Sequence, residues 1–163
     1  MTDAVRLLLR SVVFYLVVLT GLNLAWELAQ LPLYRMWADA PLSTSLFAAL
    51  HCTGGDVLIA ATTLAAAVIL AGCRWPGESF WRVALVATGL GIGYTIFSEW
   101  LNVEVRASWA YAAAMPRLPW LGTGLSPVLE WVLIPPLSFV LLKNRIAGTR
   151  FFDMPQGAGR RRD

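Results

Sequence analysis

Hydrophobic positions fall into four long runs, at about residues 11–31, 46–71, 81–103 and 126–142, separated by short polar stretches. Each run is near or above the roughly 18 residues that cross a bilayer as a helix. The pattern predicts an all-α membrane protein, a bundle of four transmembrane helices forming one domain over residues 1–145. Residues 146–163 are basic and polar and read as a disordered tail. Pro32 closes the first run, and the loop to Ser45 holds Arg35, Trp37, Asp39 and Pro41. Arg74-Trp75-Pro76-Gly77-Glu78 reads as a tight turn by its Pro-Gly content. Ser126-Pro127 offers an N-cap and a first-turn proline to the fourth helix. Between the third and fourth runs, Glu104–Gly124 is rich in aromatics and proline and reads as an interfacial loop able to act as a lid. The first run is too long for a signal peptide, contains Trp26 and Glu27, and is followed by no small-x-small cleavage site.

Composition and charge sharpen this picture. The chain is 58% hydrophobic and only 14% charged, against about 45–50% and about 25% in soluble domains, so no stretch remains for a separate soluble domain. The net charge of +3 is not a nucleic-acid signal, because the basic residues flank the hydrophobic runs. Ten of the 13 fall on one side: Arg6, Arg10, Arg74, Arg82, Lys143, Arg145, Arg150 and Arg160–Arg162. Only Arg35, Arg106 and Arg117 fall on the other. The positive-inside rule then places both termini in the cytoplasm, in a bacterial inner membrane. Expected partners are membrane lipids, with a homodimer or a larger membrane complex as alternatives. The eight tryptophans fit interfacial belts. Cys52 and Cys73 lie 21 residues apart in one run. That is about 30 Å along a helix, far beyond disulfide reach.

The candidate chemistry is a polar layer near the outer ends of the helices. Asn23, Glu27, Gln30 and Tyr34 make one stripe on the first helix, and Thr95, Glu99, Asn102 and Arg106 repeat its spacing on the third. His51, the single histidine, stands in the second run, and Glu130 lies one turn into the fourth. His51 and Asp56 are separated by about 140° on an ideal helix, so His51 is expected in the outer cluster and Asp56 as a deeper, secondary member. Ionisable groups inside a membrane cost on the order of 2.5–3.5 kcal/mol by insertion scales and therefore face the bundle interior or a wet cavity. Pro135-Pro136 is expected to free carbonyls near Trp131 and Val132 and kink the fourth helix. Gly89-x-x-x-Gly93 predicts a close helix contact.

No reaction follows from these residues alone, so enzyme status and any cofactor stay open at this point. The leading expectation is acid/base chemistry on, or binding of, a lipid-like or isoprenoid substrate, since a carboxyl in a low-dielectric pocket can act as a general acid. Glu27 and Glu99 would form the acid/base pair, with His51 as proton shuttle and Glu130 as a further catalytic carboxyl. Gln30, Asn102, Tyr34, Arg106, Trp109 and Tyr111 would bind substrate. Arg106 could instead neutralise Glu99. A metal site is the alternative, with Glu27, His51, Glu99 and Glu130 as ligands. A proton-coupled carrier or an accessory subunit of a membrane complex is a third reading. Size and tryptophan content resemble the tryptophan-rich sensory proteins, which have five spans. The combination of acid, histidine and tryptophan is loosely similar to membrane sterol isomerases, whose spacing does not align.

Overall fold

The computed structural model describes residues 2–119 and 121–152, with side chains through residue 148. Four long helices dominate: α1 (Asp3–Gln30), α3 (Leu42–Ala71), α4 (Phe80–Trp100) and α5 (Leu125–Phe152), with a one-turn helix α2 (Met36–Asp39) between the first two. All four are long and apolar enough to cross a membrane. α1 packs against α3 and α5, and α4 packs against the same two, so α1 faces α4 diagonally and α3 faces α5. One end of the bundle carries the start of α1 and the end of α5. The other, the polar end, carries α2 and the loop from α4 to α5.

The helices outrun the hydrophobic runs. α1 starts at Asp3 rather than near residue 11, capped by the Thr2 side chain, which accepts from the Val5 N–H. An acidic residue in the first turn suits the helix dipole there. α3 starts at Leu42, directly after Pro41, and spans 30 residues, about 45 Å. α5 continues to Phe152, ten residues past the end of its hydrophobic run, and stays helical through Pro135 and Pro136. Helical backbone satisfies itself whether or not its side chains are apolar, so hydrophobicity marks the membrane-crossing part and not the helix ends. Of the residues read as a disordered tail, 153–163 lie outside those described.

The inward faces of α1 and α3 mix small and polar residues with a few large apolar ones, and what faces outward is mainly large and apolar. The buried side of α1 is Ser11, Tyr15, Leu19, Asn23, Glu27 and Gln30. That of α3 is Ser45, Ala49, Thr53, Asp56, Ala60, Leu64 and Ala67. Val13, Val17, Leu58, Ile69 and Leu85 are exposed on the outside. This is the arrangement expected where lipid replaces water, because small residues let helix backbones approach. The apolar core lies toward the end where α1 starts, where the tilted rings of Tyr15 and Phe139 lie 4.4 Å apart and Phe80 meets Phe139 at 6.0 Å. Lys143 lies over the Phe80 ring at 4.8 Å and Arg145 over Phe14 at 4.4 Å. Both cysteines are free thiols.

The close helix contact is not made by Gly89 and Gly93, around which a Cβ would meet nothing within 4 Å. Gly91, between them, carries it: a Cβ there would collide with the ring of Trp131. Residues two apart on a helix point in nearly opposite senses, so only one of the two sets can face α5. Gly91→Val is expected to lower stability by about 1–3 kcal/mol, the usual cost of overpacking. Gly93→Val is expected to stay within about 0.5 kcal/mol, as surface changes do. Unfolding of the two variants in mixed detergent checks the contrast.

Candidate functional site

α1 ends in a 3-10 turn, Leu31–Leu33, with proline in its first turn. This leaves Glu27 and Gln30 facing inward on the last turns of α1. Asp56 lies on the small-residue face of α3, between Thr53 and Ala60. Glu130 stands in the second turn of α5 and is 2% exposed. Glu27, Asp56 and Glu130 each present a carboxylate oxygen, and the three atoms lie within 4.8 Å of one another. Three helices thus meet in one carboxyl trio.

Two indoles hold this layer together. The Trp131 N–H donates to Asp56 Oδ1 at 3.3 Å, across the α3–α5 diagonal. The Trp26 N–H donates to Ser126 Oγ at 3.2 Å, tying α1 to α5. These tryptophans act inside the bundle, whereas Trp37, Trp81 and Trp100 are exposed, as interfacial anchors would be.

Glu99, the fourth carboxyl, is held separately. The Tyr111 hydroxyl donates to Glu99 Oε2 and accepts from the Gly124 N–H at 2.9 Å. Tyr111 belongs to the α4–α5 loop, which is strapped to the end of α1. The Arg35 N–H donates to the Ala110 carbonyl and the Ala112 N–H to the Leu33 carbonyl, both at 2.9 Å. The Arg117 guanidinium lies over the Tyr111 ring at 5.1 Å. A second pairing, Leu118 N–H to Thr123 carbonyl at 2.8 Å, closes the loop before α5. Burial, and then the Glu99 carboxylate beside it, push the Tyr111 hydroxyl well above the usual phenol range. Burial first, then Glu99 and Glu27, raise Tyr34 in the same sense. Both phenols therefore stay protonated donors at any physiological pH.

A cavity of about 740 Å³ opens beside this layer. Glu27, Asp56, Glu99 and Glu130 form its polar wall. Leu58, Ile59 and Phe47 of α3 and Tyr94 of α4 carry it to the outside of the bundle, where Leu58, Phe47 and Tyr94 are exposed. Cys52 and Gly55 line it from α3.

No protein family, curated protein or solved structure matches the chain. Function is therefore read from the site itself.

Several expected site residues are arranged differently from the sequence reading. His51 lines the cavity but is exposed, stacks on Phe47 at 6.0 Å, and is not among the clustered carboxylates. Asp56 takes the inner place instead. α3 starts further out than its hydrophobic run, so the level of Glu27 falls at Asp56, and His51 lies about 7.5 Å nearer the polar end and some 140° around the helix. Asn102 and Arg106 leave the stripe begun by Thr95 and Glu99. α4 ends in a π-helical turn, Leu101–Val105, in which the Arg106 N–H reaches the Leu101 carbonyl at 2.8 Å. The wider turn shifts the helical phase of the residues within and after it. Asn102 still lines the cavity, but its amide folds back on the Ser98 carbonyl at 2.9 Å, and Arg106 is exposed. Tyr111, and not Arg106, is the partner of Glu99. Trp109 and Tyr34 line the cavity, and the Trp109 indole is turned toward Glu99.

Proposed function

We propose that this is an inner-membrane protein with both termini in the cytoplasm, whose cavity takes a lipid-like or isoprenoid substrate from the bilayer and handles protons at its head. The observation that carries this reading is the continuity of one cavity from exposed apolar side chains to buried carboxyls. A tail can lie along Phe47, Leu58 and Ile59 while the polar head reaches the carboxyl layer. The charge bias of the loops supports the orientation, with ten of 13 basic residues on the side of the termini. The polar layer then faces the outer leaflet.

The roles follow from position. Glu99, fixed by Tyr111, is the group whose proton is most directly coupled to the strap. Glu27, Asp56 and Glu130 are close enough to exchange protons with a head group and with each other, since three carboxylates this near cannot all be charged without compensation. His51 stands at the rim, where a proton can pass toward the interface. Trp109 and Tyr34 bound the head-group space.

Gly55 offers a direct test. A Cβ there meets nothing within 4 Å, and the residue lines the cavity. Gly55→Trp is therefore expected to fill the cavity without disturbing α3. Native mass spectrometry of the protein released from detergent should show a bound lipid-class molecule in the wild type and its loss in Gly55→Trp. Absence of any bound lipid in the wild type, or retention in a folded Gly55→Trp variant, counts against the reading.

A further inference from the structure

The carboxyl trio has a feature that a lipid head group does not account for. Buried polar atoms normally find partners. Around the trio, the atoms left without one include Asp56 Oδ2, Glu130 Oε1, Gln30 Oε1 and Asn23 Oδ1. Two of the four are amide oxygens, which only accept, and two are carboxyl oxygens, which only accept when ionised. Gln30 and Asn23 are 4% and 1% exposed, stand on the same face of α1 as Glu27, and are not members of the trio. The Gln30 side chain reaches Glu27 itself. Thr95 Oγ1, also without a partner, lines the same cavity from α4.

No basic side chain among the described residues compensates this set. The salt bridges Arg6–Asp3, Arg35–Asp39 and Arg74–Glu78 are exposed pairs at helix ends and loops. The charged groups that influence Glu27, Asp56 and Glu130 are one another and Glu99. With its carboxyls ionised, such a site offers only acceptors and is complementary to a cation.

Size and donor type narrow the class. Hard divalent ions sit about 2.0–2.6 Å from oxygen ligands, so opposite ligands lie up to about 5 Å apart. The trio's atoms, within 4.8 Å of each other, fit that span. All-oxygen donors favour magnesium, calcium or manganese, while the softer nitrogen and sulfur ligands preferred by zinc or copper are missing from the trio. His51 and Cys52 line the cavity but are not among the clustered atoms.

We propose that Glu27, Asp56 and Glu130 bind one hard divalent cation, with the Gln30 and Asn23 amide oxygens completing or backing its shell. This site differs from the ligand set suggested by the sequence, because Asp56 replaces His51 and Glu99 is engaged by Tyr111. It also goes beyond the lipid reading and does not depend on it.

Manganese serves as the probe. Detergent-purified full-length protein, stripped with a chelator, is titrated with Mn²⁺ while the resonance of the free aquo ion is followed by electron paramagnetic resonance. One saturable Mn²⁺ per chain is expected, displaced by Ca²⁺ or Mg²⁺. Asp56→Asn and Glu130→Gln should each weaken binding at least about tenfold, the scale on which even outer-shell partners act. Glu78→Gln, at an exposed carboxylate paired with Arg74 at the far end of the bundle, should leave it within about twofold. If Asp56→Asn and Glu130→Gln do not fold, Glu27→Gln supplies the same contrast from the more open side of the trio. No saturable binding by the wild type overturns the proposal, as does saturable binding that the trio variants leave intact. Lipid retention, measured on the same stripped protein, reports separately on the cavity reading.

Discussion

Trp131→Ala is expected to be the most damaging single substitution in the polar half of the bundle, costing roughly 3 kcal/mol of stability. In water-soluble cores Trp→Ala costs about 3–5 kcal/mol, part transfer and part cavity. Within a membrane bundle the transfer part is small, because lipid is as apolar as the interior. The cavity part remains, since the ring fills the space above Gly91 and the residue is buried. The lost donor to Asp56 Oδ1 adds to it, as leaving a buried acceptor unmade costs about 1–3 kcal/mol. Trp131→Phe separates the two contributions. It keeps most of the volume and removes only the N–H, so it should cost about 1 kcal/mol, close to the modest values of interhelical hydrogen bonds in membranes. Unfolding by titrated denaturing detergent, followed by helicity, reads both variants. Equal losses for Phe and Ala would show that the bond tying α5 to Asp56 on α3, and not packing on Gly91 of α4, carries the contribution of Trp131.

How much of this was legible in the chain depends on which physical rule governed each residue. The four helices were legible because hydrocarbon thickness imposes a length that few other structures need. Their ends were less so: Asp3–Arg10 and Lys143–Phe152 are helical although charged residues interrupt their apolar positions. Glu27, Glu99 and Glu130 were legible as inward-facing, since a membrane leaves such groups few alternatives. The rank of Asp56 over His51 was missed, although a signal existed. Asp56 shares its face with Ala49, Thr53 and Ala60, small residues that mark helix contact, while His51 shares its side with Phe47 and Leu58. Weighing side-chain size along the run, and not depth from a guessed boundary, places the carboxylate inside. The partner of Glu99 was beyond sequence periodicity. Tyr111 reaches it from an irregular loop 12 residues away, and the π-helical turn that removes Asn102 and Arg106 from the stripe has no pattern that spacing alone would reveal.

Tyr111→Phe is expected to loosen the strap over the polar end and to raise access to the cavity about tenfold. The hydroxyl joins the loop, through the Gly124 N–H, to Glu99 on α4. Removing it leaves a buried N–H and a buried carboxylate oxygen short of a partner, at about 1–3 kcal/mol. Local opening is governed by such terms, because the strap otherwise relies on a few backbone pairings. At 1.4 kcal/mol per factor of ten, the open population should rise roughly tenfold while the bundle, held by its own helix–helix contacts, stays folded. Cys52 is a built-in reporter: it lines the cavity and is half-buried. Cys73 lies exposed beyond the far end of α3 and is removed as Cys73→Ser. Labelling of Cys52 by a charged, water-soluble thiol reagent should then accelerate about tenfold in Tyr111→Phe. Glu99→Gln should change the rate much less, since its amide oxygen still accepts from Tyr111. The direction of the effect decides what the strap does. Faster labelling means the loop from α4 to α5 closes the polar end and leaves the bilayer side as the resting route to the carboxyls. An unchanged rate would mean that water-soluble reagents already reach Cys52 past the strap, and that Tyr111 orients Glu99 without gating the cavity.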